Sequence, residues 1–154
     1  MNIYNDFQKI GKVEEETINK YQEYLPKELI ESWRKYGYGT LMNGYLKIIN
    51  PDDFSGLIND TYLRNRGTIP IFSTSMGDVI LFEQDENNET YIVMVNYRKG
   101  KTKVLASKYS LFIRFLEEEA FRQRALDCHL MQKQWNGTDY QSIVSVLVMY
   151  RYQV

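Results

Sequence analysis

Two adjacent residues invite a chemical reading first. His129 is the single histidine and Cys128 the single cysteine. A thiol beside an imidazole is the beginning of a nucleophilic dyad. Neighbouring positions on a helix point about 100° apart, however, so the two side chains cannot hydrogen-bond to each other there. There is no second histidine to serve as base, and a zinc site needs several Cys or His ligands. Both residues therefore read as structural or surface positions. Carboxylates are the other source of hydrolytic or magnesium chemistry. The groups are Asp52 with Asp53, Asp78, Asp85 with Glu86 and Glu89, and Glu117 to Glu119. None has a spacing that specifies a reaction. Neither G-x-x-x-x-G-K-[ST], G-x-G-x-x-G nor G-x-S-x-G occurs. The residues point to a chain that is not an enzyme and carries no cofactor or metal. An enzyme using Asp52, Asp53 and Asp78 in one pocket is the weakest of the alternatives.

The elements that carry these residues follow from hydrophobic spacing. Residues 4 to 22 suggest an irregular start and a helix from about Glu14, with Glu14, Glu15 and Glu16 at the positive end of its dipole. Pro26 opens a second helix whose apolar face is Leu29, Ile30, Trp33 and Tyr36, stopped by Gly37 and Gly39. Asn43-Gly44 turns the chain into a short strand, Tyr45 to Ile49. Asn50 then caps a third helix with Pro51 in its first turn and Phe54, Leu57 and Ile58 inward. That first turn explains Asp52 and Asp53 without function.

From Thr68 the period changes. Ile69 to Phe72 precede a Ser-Thr-Ser-Met-Gly turn, and Asp78 to Phe82 and Tyr91 to Val95 are continuous apolar runs of the kind covered on both faces. Asp85 to Asn88 form a polar turn between them. Arg98-Lys99-Gly100-Lys101 closes a hairpin to Lys103–Ala106. Ser107 or Ser110 caps a helix expected to continue, with a break, to about Trp135. Gly137-Thr138-Asp139 ends it, and Ile143 to Tyr152 reads as a final strand. The fold class is α+β: a single domain over 1–154, a mainly antiparallel sheet of about five to six short strands packed against helices.

Composition fits that picture and narrows the function. The chain has 154 residues, 44% hydrophobic and 25% charged, the balance of a globular domain. Thirteen tyrosines suit half-buried core edges and contact surfaces. Nineteen basic against 20 acidic residues give a net charge of −1, without the basic excess that phosphate binding usually needs. The Arg98–Lys103 hairpin, with Tyr97 beside it, could hold single-stranded nucleic acid, but reads first as a solvated turn at a sheet edge. No direct nucleic-acid partner is expected. No apolar run reaches a membrane span or a signal-peptide core, and one cysteine suits a reducing compartment. The expectation is a cytoplasmic protein without a membrane partner. On that reading the N-x-S/T patterns at Asn59, Asn88 and Asn136 are coincidental.

Several short patterns occur in a telling order. They are Leu25-Pro26 with Leu29, Trp33, Tyr36-Gly37 and Gly39, then Gly44-Tyr45-Leu46 and Asn50-Pro51-Asp52-Asp53-Phe54. Ile69-Pro70-Ile71 and Met76-Gly77-Asp78 follow. In this arrangement, over roughly 24–83, the chain resembles the GAD-like family of bacterial immunity proteins, related in pattern to the SUKH (Smi/Knr-like) group. The family's glycine-rich "P-x-L-x-L-G-G" ending is replaced here by YQSIVSVLVMY at Tyr140 to Tyr150, so the C-terminal third, including 136–154, diverges. The resemblance implies an antitoxin that binds and neutralises a cognate bacterial polymorphic toxin, such as a nuclease, in interbacterial competition. Acidic and aromatic side chains complement a basic, nucleic-acid-cleaving surface. The corresponding contact residues are Asp85, Glu86 and Glu89 with nearby tyrosines. A general protein-interaction or scaffold module without a toxin is the alternative.

Overall fold

A computed structural model of the chain describes residues 2–62 and 67–126. The first half contains β1 (Gln8–Gly11), α1 (Glu15–Tyr21), α2 (Lys27–Lys35), β2 (Tyr38–Leu41), β3 (Leu46–Ile48) and α3 (Pro51–Thr61). The second contains β4 (Thr68–Thr74), β5 (Val79–Gln84), β6 (Thr90–Asn96), β7 (Lys101–Ala106), α4 (Tyr109–Leu116) and α5 (Glu119–Leu126). All seven strands form one antiparallel sheet, and their order across it is their order in the chain. The class is α+β, as the sequence indicates.

Two layers of helix sandwich the sheet. Alternate residues of β5 and β6 divide between them: Ile80, Phe82, Ile92 and Met94 join the core under α1, α2, α4 and α5. Val79, Leu81, Val93 and Val95 join a second cluster under α3, with Phe54, Leu57, Ile58 and Tyr62. This double coverage is why residues 79–82 of β5 and 92–95 of β6 are apolar without interruption. Trp33 and Phe112, fully buried, anchor the first layer, and Phe72 packs against both Tyr109 and Phe112.

The local signals act largely as expected. The Asn50 side chain accepts the Asp52 N–H at 3.0 Å and Pro51 is the first residue of α3. Glu15 and Glu16 lie in the first turn of α1. Pro26 stands at the cap of α2, one position before its first turn. The turn after β2 holds Met42, Asn43 and Gly44 all at positive φ. Asp6 clamps it, accepting the N–H groups of Met42 at 3.1 Å and Asn43 at 2.7 Å. Successive backbone N–H groups in such a turn form an anion-binding concavity, here filled by the protein's own carboxylate.

Several expectations need correction. Among the described residues the sheet has seven strands, not five to six: β1 and β2 escape notice because β1 is exposed almost throughout and β2 is only four residues long with a glycine inside. Gly37 does take the left-handed conformation that ends α2, with φ +81. Gly39, read as part of the same stop, lies instead within β2. There a Cβ would collide with the Gln8 carbonyl and the Phe7 ring, so close strand approach selects the glycine. β4 runs on to Thr74 through residues read as a turn, and Asp78 precedes β5. Neither Ser107 nor Ser110 caps α4; Lys108 holds that position without a side-chain bond. The long helix is two, α4 and α5, broken at Glu117–Glu118. Its continuation to Trp135, the 137–139 stop, the 143–152 strand, Cys128 and His129 lie outside the described residues.

Candidate binding groove beside the acidic hairpin

β5 and β6 pair in unbroken register from Val79–Val95 to Gln84–Thr90, so the polar residues between them must turn tightly. Asp85 makes that turn. Its Oδ1 accepts the N–H groups of Asn87 at 2.9 Å and Glu89 at 3.0 Å, and its Oδ2 accepts the Tyr91 hydroxyl at 3.1 Å. Asn88 supplies the positive φ the turn requires. The Tyr91 hydroxyl is held protonated above its ordinary range by that bond to the carboxylate. Asp85 thus shapes the loop, while Glu86 and Glu89 are displayed on it, exposed.

Beside this hairpin lies a groove of about 920 Å³ on the α3 side of the sheet. α3 ends at Thr61 and Tyr62 follows it to the groove wall, so the helix covers only part of the face. Val93 and Val104, opposite each other across β6 and β7, line it together with Tyr62 and Tyr91. Glu83 is fixed there by the hydroxyls of Tyr62 at 2.6 Å and Thr68 at 3.1 Å. Among the described residues that line it, three are carboxylates (Glu83, Asp85 and Glu86) and one is an ammonium, that of Lys103. Val104 is 59% exposed.

The structure therefore brings Asp85 and Glu86 to one groove, with Glu89 on the same hairpin. The sequence alone does not single out Tyr62, Glu83 or Val104. The strand register that unites them with the hairpin is a long-range property. Val104 opens the apolar Val104-Leu105-Ala106 end of β7, so nothing local sets it apart.

The other acidic groups are taken up elsewhere. Asp52 accepts Lys20 Nζ at 2.8 Å and the Tyr21 hydroxyl, and these bonds hold its carboxyl below the usual range. Asp78 is fully buried and paired with Arg98 at 3.0 Å, while its N–H donates to Thr74 Oγ1 at 3.1 Å. Asp52 and Asp78 thus serve separate partners on opposite sides of the chain's connectivity, one tying α3 to α1, the other tying a hairpin to the β4–β5 turn. Arg98 is one of the four cations of the basic hairpin, and it is directed inward; Lys99, Lys101 and Lys103 are exposed. Among the described residues no group of three or more His, Cys, Asp and Glu could hold a metal ion, and no helix is long and apolar enough to cross a membrane.

Comparison with known proteins places this architecture. The family model described as the GAD-like domain matches residues 1–96. Among solved structures, the crystal structure of Atu4351 from Agrobacterium tumefaciens is similar, with a TM-score of 0.56 at 15% identity. The alignment covers 66% of this chain and 48% of that one, so this chain spans about half its length. At that identity the likeness concerns the fold alone. No curated protein matches the sequence.

Proposed function

The chain belongs to the GAD-like domain family, and from that premise we propose that it is an immunity protein: an antitoxin that binds a bacterial polymorphic toxin and neutralises it without catalysis of its own. The observation that carries the reading is the open groove walled by Glu83, Asp85 and Glu86, with Glu86 and Glu89 displayed beside it. An acidic, aromatic-lined concavity complements a basic protein surface, and nucleases that act on phosphate backbones present such surfaces. The protein partner is the cognate toxin, made by the same cell or delivered by a neighbour, and engaged in the cytoplasm of the cell that makes this chain. Neither nucleic acid nor membrane takes part.

The alternative is a general interaction module using the same groove with no toxin. The two separate in one experiment: the chain is used as bait in its native cell, and each recovered partner is expressed with and without it. A stoichiometric partner that is toxic alone and harmless with this chain establishes the immunity reading. A stoichiometric partner that is harmless in both conditions overturns it in favour of the interaction module.

A further inference from the structure

The turn between β2 and β3 joins a reactive pair of residues to a device that restrains it. Asn43-Gly44 is one of two Asn-Gly steps in the chain, the other being Asn136-Gly137. An asparagine before a glycine is open to an internal reaction, because the next residue has no side chain to shield its backbone nitrogen. That nitrogen attacks the side-chain carbonyl carbon, Cγ. The new N–Cγ bond forms as the bond from Cγ to Nδ2 breaks, and Nδ2 leaves as ammonia, taking up the backbone proton. The cyclic imide then adds water at either carbonyl, giving aspartate or isoaspartate. Water is the only co-reactant, and nothing is oxidised or reduced.

Access does not limit this reaction. Asn43 is exposed, and nothing lies within 4 Å of the place a Cβ on Gly44 would take. Conformation does limit it. The Gly44 N–H donates to the Leu41 carbonyl at 3.2 Å. The nitrogen must shed that proton to attack, and a hydrogen bond to the protonated form opposes its loss. Met42 and Asn43 hold positive φ, 54° and 58°, which costs free energy at residues with a Cβ. Asp6 offsets the cost from outside the turn, accepting the N–H groups of Met42 at 3.1 Å and Asn43 at 2.7 Å. Bonds from an N–H to a carboxylate are among the stronger ones.

We propose that Asn43 is a deamidation site guarded by the Asp6 clamp: the turn is inert while Asp6 holds it and reacts when it opens locally. The change is one-way. Aspartate at 43 puts a like charge on the residue whose N–H Asp6 holds. Isoaspartate lengthens the main chain between the Asn43 and Gly44 nitrogens and so displaces the bond to Leu41. Either product weakens the turn that had protected it. This chemistry is independent of any partner.

The test ages the full chain and a blocked peptide of residues 40–46 side by side at neutral pH. Peptide mapping by mass spectrometry follows Asn43 and separates aspartate from isoaspartate. The chain is expected to react there at least about tenfold more slowly than the peptide. Asp6→Ala, which removes two charge-assisted bonds, should raise the rate about tenfold. Leu57→Ala is the control: it weakens the α3 layer and leaves the turn alone, so its rate should stay at the parent's. A parent as fast as the peptide, an Asp6→Ala rate equal to the parent's, or an equal rise in both variants would overturn the proposal. If Asp6→Ala does not fold, Asp6→Asn takes its place, keeping an acceptor oxygen without the charge. A smaller rise is then expected, and the same outcomes decide.

Discussion

The two faces of the sheet are built from the same strands and do different work. Under α1, α2, α4 and α5 the large side chains interlock: Trp33, Phe72 and Phe112 are buried to within about a hundredth of their surface. Under α3 the cluster is smaller, and beyond Tyr62 the sheet opens into the groove. Alternation along β5 and β6 serves both at once, since Ile80 and Met94 face one way and Leu81 and Val93 the other. A strand covered on both sides lets the protein fix its shape on one face while offering part of the other. The lesson is a division of labour set by side-chain parity within single strands.

That division can be tested by substitution. The largest effect is expected at Phe112, where truncation to alanine removes a fully buried ring from the crowded face and should cost about 4 kcal/mol in urea unfolding. Leu57→Ala on the α3 face should cost less, about 2 kcal/mol. Equal losses would break the comparison.

Arg98→Ala falls between those two, at about 3 kcal/mol, because it withdraws the guanidinium from a carboxylate that has no exposure. Arg98→Lys should recover part of that loss, which chemical denaturation of both variants would measure.

A smaller, pH-dependent effect belongs to Asp52. Its carboxyl is held below the ordinary range by Lys20 and Tyr21, so the stabilisation is present above the unfolded-state value and fades as pH falls through the folded one. Asp52→Asn should therefore lower the urea midpoint at neutral pH slightly and flatten its decline in acid. An acid decline as steep as the parent's would remove Asp52 from the account.

The smallest effect on stability is expected from Glu86→Lys with Glu89→Lys. Both side chains are exposed on the hairpin, so the midpoint should move by no more than about 0.5 kcal/mol while capture of the partner is lost. Undiminished capture would detach recognition from this face.

Much of this arrangement was legible because the signals are local. Asn50-Pro51 declares a helix start by chemistry contained in adjacent residues, and the uninterrupted apolar run of β5 declares a doubly covered strand. The acidic hairpin was visible as a cluster of charge. What was not legible depends on distant partners. Gly39 looks like any glycine after a helix until β1 is laid beside it. Arg98 looks like one more cation in a basic turn until the buried Asp78 is seen to receive it. Glu83 looks like an ordinary strand-end acid until Tyr62 and Thr68 arrive to hold it. Val104 gains meaning only from its pairing with Val93.

The sequential strand order has a consequence for how such a protein grows. Each strand after the first is laid against the one before it, so a chain can lengthen at the sheet's open edge without rethreading anything already placed. The family match stops at residue 96, the last residue of β6. β7 is laid on β6 through a short hairpin that Arg98 moors to Asp78. Val104 rides on that strand, at the margin of the described sheet, and lines the groove together with Val93. In a sheet of this topology, substitutions on a marginal strand can change what one face offers while the packed layers stay as they are.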